Sequence, residues 1–210
     1  FTNQNLIFFT SIYILSLSLF FLSTFYEILA VHHGPFYYFI AESLLDQNGI
    51  VPAVKLFPTK MDLVTPQIGI AFIIYISKLI SNNFWYFFFY FFHAVCWLFV
   101  YLEIKNFSQK NNYLGLNSLL LIIIFYLQPY NLNQIASFSN ETIYYPLLIY
   151  FFFKFFPEIN SSISFKNKKT NTLFIVIFLL LGTIFRLHHL VLIFSIIFYF
   201  LIFSKEKKFL

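Results

Sequence analysis

Residues 84–104 read FWYFFFYFFHAVCWLFVYLEI, and Glu103 is the one carboxylate among them. About 20 apolar residues are enough for a helix to cross the hydrocarbon core of a bilayer. A helix that is apolar on every side has no face to present to water. The composition agrees, because 60% of the 210 residues are hydrophobic and only 10% are charged, too few to cover a soluble surface. We therefore expect an integral membrane protein.

Apolar runs recur along the chain, and none alternates as the strands of a membrane barrel would. We expect an all-α membrane protein, a polytopic helical bundle of six or seven spans that forms a single membrane domain over residues 1–210. Because the first residue is Phe rather than Met, we also expect a fragment of a longer chain. The runs are Leu6–Val31, Thr65–Ile80, Phe84–Ile104, Tyr113–Gln128, Glu141–Phe156, Thr172–Phe185 and Leu190–Phe203.

Three lysine clusters predict the orientation of the spans, because basic loops face the cytoplasm. The loop of residues 129–140 and the region around Arg186 then lie outside. Placing residues 32–64 outside as well requires an odd number of crossings before Lys105, yet two apolar runs intervene. Either Thr65–Ile80 is re-entrant or incomplete, or the first loop lies inside. The clusters are Lys105 and Lys110; Lys166, Lys168 and Lys169; and Lys205, Lys207 and Lys208.

The first loop contains HHGPFYYFIAESLLDQNG, residues 32–49. Gly34-Pro35 predicts the start of a helix and Asn48-Gly49 its end. We expect a short amphipathic helix along the membrane surface, with its apolar face in the lipid boundary. Two interpretations stay open: an interfacial anchor, or a helix that carries catalytic groups over a membrane-embedded pocket. Helical spacing places Tyr38, Glu42 and Asp46 on one face, and Phe36, Ile40 and Leu44 on another.

A second polar segment, SFSNETIYYPLL at residues 137–148, opens the run that begins at Glu141. Ser139 is expected to cap this helix, and Glu141 in the first turn suits the helix dipole. A carboxylate at membrane depth is equally a functional hypothesis. Pro146, one turn into the helix, is expected to kink or loosen it.

The third polar segment is GTIFRLHHLVL, residues 182–192, in which Arg186 separates two apolar runs. An arginine there either reaches lipid phosphates or grips the phosphate of a bound ligand with its fork of donors. His188 lies beside it. Adjacent histidines point in different directions on a helix, so no metal site is predicted. His93 stands alone in an aromatic run and is expected to be hydrogen-bonded within the bundle.

In this order, the segments resemble the N-terminal membrane module of the GT-C glycosyltransferases. These polyprenyl-phosphate-sugar-dependent enzymes include the dolichyl-phosphate-mannose–protein mannosyltransferases and the lipid A aminoarabinose transferases. In that family an acidic outer loop with a Tyr-containing surface helix precedes a Pro-started short apolar segment, here TPQIGIAFIIYISKLI. A Ser-x-Glu that opens a span follows, here Ser139-Asn140-Glu141, and then a Gly and an Arg that end a span, here Gly182 and Arg186. The resemblance covers nearly the whole chain.

The resemblance implies a sugar donor carried on a polyprenyl phosphate, with its head group at the outer face. Arg186 would hold the phosphate, and a base from the first loop would take the proton of the acceptor hydroxyl. Family members use an aspartate at the head of the loop helix, and His33 occupies that position here. The catalytic candidates are His33, Glu27 and Glu42, and the substrate-binding candidates are Arg186, Glu141, His188, Tyr37 and Tyr38.

The expected partners are the polyprenyl-phosphate-linked sugar, a lipid, glycan or protein acceptor, and membrane lipids. Nucleic acid is not expected, since the net charge of +5 is a topology signal in a membrane chain. No motif indicates a cofactor, and the resemblance leaves a divalent metal open. We expect a bacterial inner (plasma) membrane protein whose active site faces outward.

Two other classes remain open from the sequence. A non-catalytic hydrophobic subunit of a membrane complex would use Glu141 and Arg186 as buried partners or lipid contacts. A small-molecule transporter would need paired ionisable residues near the middle of the membrane. Only His93, Lys78 and Lys154 are candidates for such pairs, and the sequence shows no evident counter-charge for them.

Overall fold

The computed structural model describes residues 3–25, 34–46, 69–110, 118–136 and 138–160. All regular structure in these ranges is helical, as predicted. The last two predicted runs lie outside them. The helices are α1 (Asn3–Phe25), α2 (Gly34–Leu45), α3 (Gly69–Ile80), α4 (Trp85–Lys110), α5 (Ser118–Tyr126), α6 (Pro129–Ala136) and α7 (Asn140–Asn160).

Two of the described helices are long and apolar enough to cross a membrane, over Asn3–Thr24 and Trp85–Gln109. A third crossing is possible if α5 and α6, which are bent by 65° at their junction, count as one span. Large apolar side chains on the outside of these helices are exposed, as is typical of helices that face lipid. They include Leu6, Ile7, Ile14 and Leu22 on α1, and Leu120, Ile123 and Ile124 on α5.

Helices α1 and α4 pack side by side and run in opposite directions. Near the start of α1, Phe8 stacks on Tyr101 of α4 with ring centroids 4.7 Å apart. Near the end of α1, Phe20 meets Trp85, the first residue of α4, at 6.1 Å. The two ends of the bundle are named here after α4 residues, as the Trp85 end and the Glu103 end.

Helix α7 packs against α4 and runs parallel to it. Trp97 and Tyr145 meet halfway along the pair, at 6.2 Å between ring centroids. At the Glu103 end, Lys154 Nζ lies 3.3 Å from Glu103 Oε2. Lys154 therefore has a counter-charge, which the sequence did not reveal.

Because α4 and α7 are parallel, the chain must return from the Glu103 end to the Trp85 end between them, and α5 with α6 makes this return. The hydroxyl of Tyr126, at the end of α5, lies 2.8 Å from Ser16 Oγ on α1. The expectation that residues 129–140 form a loop is wrong, because Pro129 begins α6. A proline at the first helical position loses no hydrogen bond, since that N–H would be unpaired in any helix.

Helix α6 ends at the Trp85 end, where its last carbonyls accept hydrogen bonds from hydroxyls on three other helices. The last carbonyls of a helix have no partner within it, so they need donors from elsewhere. Here each donor comes from a different neighbour, which fixes α6 inside the bundle. The bonds are Thr142 Oγ1 to Gln134 O at 2.8 Å, Tyr90 OH to Ile135 O at 2.5 Å, and Ser23 Oγ to Ala136 O at 2.7 Å.

The turn from α6 into α7 is a Schellman motif. The Ser139 N–H donates to Gln134 O at 3.2 Å, and the Phe138 N–H donates to Ile135 O at 3.3 Å. Phe138 occupies the position that glycine usually takes, and its φ is 40°. The left-handed conformation costs a residue with a Cβ roughly 1 kcal/mol. Burial of the Phe138 ring against Phe20 and Trp85 offsets that cost.

The left-handed backbone of Phe138 predicts that glycine is tolerated better than alanine at this position, the reverse of their order in a helix interior. Phe138→Ala and Phe138→Gly both remove the buried ring, but only glycine relieves the left-handed backbone. We expect Phe138→Gly to be the less destabilised variant by about 1 kcal/mol, whereas in a helix interior Gly is the worse residue by a similar amount. Unfolding of both variants by SDS titration measures the difference. An alanine variant as stable as the glycine variant would contradict it.

Helix α3 has only 12 residues, Gly69–Ile80, and by itself is too short to cross a bilayer. The first part of its predicted run, residues 65–68, lies outside the described residues. One face of α3 packs on α4 and another on α2.

The described part of helix α2 runs from Gly34 to Leu45. Its apolar face includes Phe36, which is 3% exposed, and Ile40, which is fully buried. Since α2 packs on α3, this face lies against protein. The prediction that it lies in the lipid boundary is therefore wrong. The short apolar helix α3 supplies the surface that lipid was expected to supply.

Candidate functional site

A buried lysine joins α2 to the end of α3. Lys78 Nζ donates to the hydroxyl of Tyr38 at 3.1 Å, to Asn82 Oδ1 at 2.9 Å, and to Glu42 Oε1, with which it forms a salt bridge. The ammonium also lies 4.3 Å from the centroid of the Tyr38 ring. These four residues are called the Lys78 group below. The sequence shows no evident counter-charge for Lys78, and in the structure Glu42 is that counter-charge.

The Lys78 group is asymmetric in its exposure. The Lys78 side chain is 1% exposed and that of Glu42 is 34% exposed. Burial lowers the pKa of Lys78 and raises the pKa of Tyr38. All three protons of the ammonium have acceptors, so Lys78 has no donor left for a ligand. Glu42, by contrast, keeps part of its side chain at the surface.

A second polar group surrounds the start of α7. The Ser139 carbonyl accepts from the Thr142 N–H at 3.0 Å, as the residue that caps a helix does. Its hydroxyl donates to Glu141 Oε2 at 2.9 Å and lies against the side-chain amide of Gln134. Glu141 stands in the first turn of α7, as predicted. These four residues are called the Ser139 group.

Trp85 connects the two groups. Its ring lies 5.5 Å from that of Tyr38 and 5.4 Å from that of Phe138, the residue before Ser139. Trp85 is 7% exposed, so the connection is buried. The first-loop helix and the start of α7 therefore converge on the Trp85 end of the bundle, within two ring contacts of each other.

His93 supplies the hydrogen bond that Pro146 cannot make. Proline has no N–H, so Pro146 leaves the carbonyl of Thr142, four residues earlier, without its helical partner. His93 Nδ1 lies 2.7 Å from that carbonyl oxygen and donates to it, because a carbonyl only accepts. Helix α7 continues through Pro146. His93 is hydrogen-bonded within the bundle, as expected.

The candidate residues separate into those that the structure places and those outside the described residues. Glu42 and Tyr38 belong to the Lys78 group, and Glu141 belongs to the Ser139 group. Tyr37 is 5% exposed and packs in the hydrophobic core. The candidates outside the described residues are His33, Glu27, Arg186 and His188.

Sequence reasoning missed the pairing of Lys78 with Glu42 and the role of Trp85 as the connection. A signal for the first was present. Tyr38 and Glu42 are four residues apart, so they share one face of a helix, and Lys78 and Asn82 have the same spacing. The first pair carries a carboxylate and the second an ammonium, which can form a salt bridge. Nothing in the sequence places Trp85 between Tyr38 and Phe138, because those contacts join distant parts of the chain.

Among the residues that the structure describes, no three His, Cys, Asp or Glu side chains come together as a metal site would require. Comparison of the chain with protein-family models, with curated proteins and with solved structures finds no match. The geometry at the Trp85 end is therefore the basis for a functional hypothesis.

Proposed function

We propose that this chain is a membrane glycosyltransferase of the GT-C type, which moves a sugar from a polyprenyl phosphate to an acceptor at the outer face of the membrane. The observation that carries the proposal is the convergence on Trp85 of the first-loop helix, with Glu42, and the start of α7, with Glu141. In the resemblance these two segments border one site. A subunit that used them only as separate docking surfaces would have no need to bring them together.

The proposed topology follows from the helix directions. Lys105 and Lys110 follow the Glu103 end of α4, so the positive-inside rule assigns that end to the cytoplasm and the Trp85 end to the outside. We take α1, α4, the α5–α6 pair and α7 as crossings. If α3 is re-entrant, α4 is the single crossing between the first loop and Lys105, and one is the odd number that the charges require. The runs 172–185 and 190–203 then bring the bundle to six spans and return Arg186 to the outside.

The proposed reaction is an inverting displacement at the anomeric carbon. The bond from this carbon to the phosphate oxygen breaks, and polyprenyl phosphate leaves with the electron pair. The acceptor oxygen forms the new bond on the opposite face, and its proton passes to a base of the first loop. Arg186 stabilises the charge on the leaving phosphate. The paired position of Glu42 beside Lys78 leaves His33 as the first base to test, and Glu27 as the next.

The proposal is tested by measuring donor binding and sugar transfer separately. We expect His33→Ala to lower the transfer rate about 100-fold, the lower part of the range for loss of a general base, and to change donor binding less than two-fold. Purified protein in nanodiscs, a radiolabelled polyprenyl-phosphate sugar and an extract of lipid, glycan and protein acceptors provide both readouts. Glu27→Gln is the matched variant.

Equal transfer rates in wild type and His33→Ala would move the base elsewhere, with Glu27 next. A wild-type protein that binds no polyprenyl-phosphate sugar and co-purifies with a stable membrane complex would overturn the glycosyltransferase proposal in favour of a non-catalytic subunit. The proposed location, a bacterial inner (plasma) membrane, is tested by fractionation. Reactivity of single cysteines at both bundle ends with an impermeant thiol reagent tests the orientation.

A further inference from the structure

The middle of α4 carries two buried polar atoms that have no partner among the described residues, His93 Nε2 and Trp97 Nε1. Both side chains are fully buried. The residues are one helical turn apart, so they share a face of α4, and their ring centroids are 6.4 Å apart. An unpaired polar group in a buried site destabilises the fold, because it has lost its hydrogen bonds to water without replacing them. Two such atoms side by side therefore require an explanation.

The two atoms have opposite hydrogen-bonding character. His93 Nδ1 carries the hydrogen donated to Thr142 O, so Nε2 of the neutral ring presents a lone pair. The indole nitrogen of Trp97 only donates. A charged imidazole without a counter-ion would be costly at this depth, which keeps the ring neutral. The pair therefore calls for one group that donates to His93 and accepts from Trp97.

The surroundings restrict the size of that group. Tyr126 lies 6.2 Å from the His93 ring and 5.2 Å from the Trp97 ring, and Tyr145 lies 6.2 Å from the Trp97 ring. With hydrogen bonds of about 2.9 Å on either side and the roughly tetrahedral angle of water, one oxygen joins nitrogens about 4.7 Å apart. The ring centroids are 6.4 Å apart, and both nitrogens lie on the rims of their rings. A water molecule is the smallest group with both capacities.

We propose that His93 and Trp97 bind one water molecule in the core of the bundle. The water donates to His93 Nε2 and accepts from Trp97 Nε1, which satisfies both buried atoms. It also fixes the tautomer of His93, and so secures the hydrogen bond to the Thr142 carbonyl that Pro146 leaves free. The bound water thus belongs to the structure that holds the first turns of α7. This proposal does not depend on the proposed function.

The experiment uses the full chain in lipid nanodiscs with ¹⁵N-labelled tryptophan. The sequence has two tryptophans, so the spectrum contains two indole N–H signals, and Trp85→Phe assigns them. Transfer of magnetisation from water to each indole proton is recorded. We expect a direct water cross-peak of the sign produced by a long-lived water at Trp97. In His93→Phe, which removes the acceptor, this peak is expected to fall at least five-fold, while the Trp85 signal stays unchanged.

The wild-type spectrum alone decides the proposal if His93→Phe fails to fold. A Trp97 indole proton with no water cross-peak, shifted upfield as an N–H pointing at the Tyr126 ring would be, overturns it. Tyr126→Phe keeps that ring and removes its hydroxyl, so the cross-peak is expected to persist. Its loss in Tyr126→Phe would show that the tyrosine hydroxyl relays the signal, and this result also overturns the proposal.

Discussion

Replacing Arg186 by alanine is expected to lower the affinity of the protein for a polyprenyl-phosphate sugar about 1,000-fold, because two charge-assisted hydrogen bonds to a phosphate contribute about 1.5–3 kcal/mol each. Arg186 is the only arginine in the chain and separates two apolar runs. In the proposed topology it lies on the same outer side as Glu42 and Glu141. Titration of purified protein with the labelled donor measures the affinity.

Two controls show whether the effect reflects phosphate recognition. Arg186→Lys keeps the charge and loses the planar fork, so its affinity is expected to fall between those of wild type and the alanine variant. Lys105→Ala removes a cation at the Glu103 end of the bundle, near Tyr101, and is expected to change the affinity less than two-fold. Wild-type affinity in Arg186→Ala would mean that the arginine does not hold the donor phosphate.

The second large effect is expected from Glu42→Gln, which removes the charge that compensates buried Lys78. Breaking a buried ion pair typically costs 3–5 kcal/mol. Because the Glu42 side chain is 34% exposed, and because glutamine still offers an oxygen, we expect about 2 kcal/mol. Lys78→Met leaves the partly hydrated carboxylate behind and is expected to cost about half as much. The double variant should be no less stable than Lys78→Met alone, and SDS titration measures all three.

The loss in Glu42→Gln should also depend on pH. Burial already lowers the pKa of Lys78 from its ordinary value of 10.5, and the missing carboxylate lowers it further. The folded state then binds fewer protons than the unfolded state between the lowered pKa and 10.5. Stability in this window rises with pH, so the deficit of Glu42→Gln is expected to narrow from pH 7 to pH 10. A deficit that is constant or grows over this range would contradict an unpaired Lys78.

The same variants distinguish a catalytic Glu42 from a structural one. If Glu42 contributes only through Lys78, the double variant Glu42→Gln with Lys78→Met should recover the transfer activity that Glu42→Gln loses. If the carboxylate acts on the substrate, activity stays low although stability returns. This comparison matters because any loss of activity in Glu42→Gln alone mixes the two effects.

Local signals predict the start of α7. Ser139 precedes α7, which carries Glu141 in its first turn. These features depend on residues adjacent in the chain, where side chain and backbone interact directly. The apolar run of α4 is long enough to predict a membrane helix from the sequence alone, without any tertiary contact.

Other features depend on contacts between distant parts of the chain, which one sequence does not reveal. Residues 129–140 were expected to form a loop, although proline also suits the first position of a helix. The hydroxyls that fix α6 lie on distant parts of the chain. The counter-charges of Lys78 and Lys154 lie on other helices in the same way. The packing of α2 on α3, rather than on lipid, is a third contact of this kind. Helix α3 lies beside α4 and offers α2 an apolar protein surface.

The bent α5–α6 pair has a consequence for the order in which the chain is assembled during synthesis. Asn131 and Gln134 make α6 a poor candidate to enter lipid alone, since their amides would lose water without gaining partners. Its receiving hydroxyls, Ser23 on α1 and Tyr90 on α4, belong to helices that leave the ribosome earlier. We therefore expect α6 to pack on α1 and α4 after these two helices have associated. The Thr142 hydroxyl then donates to Gln134 O when α7 is added.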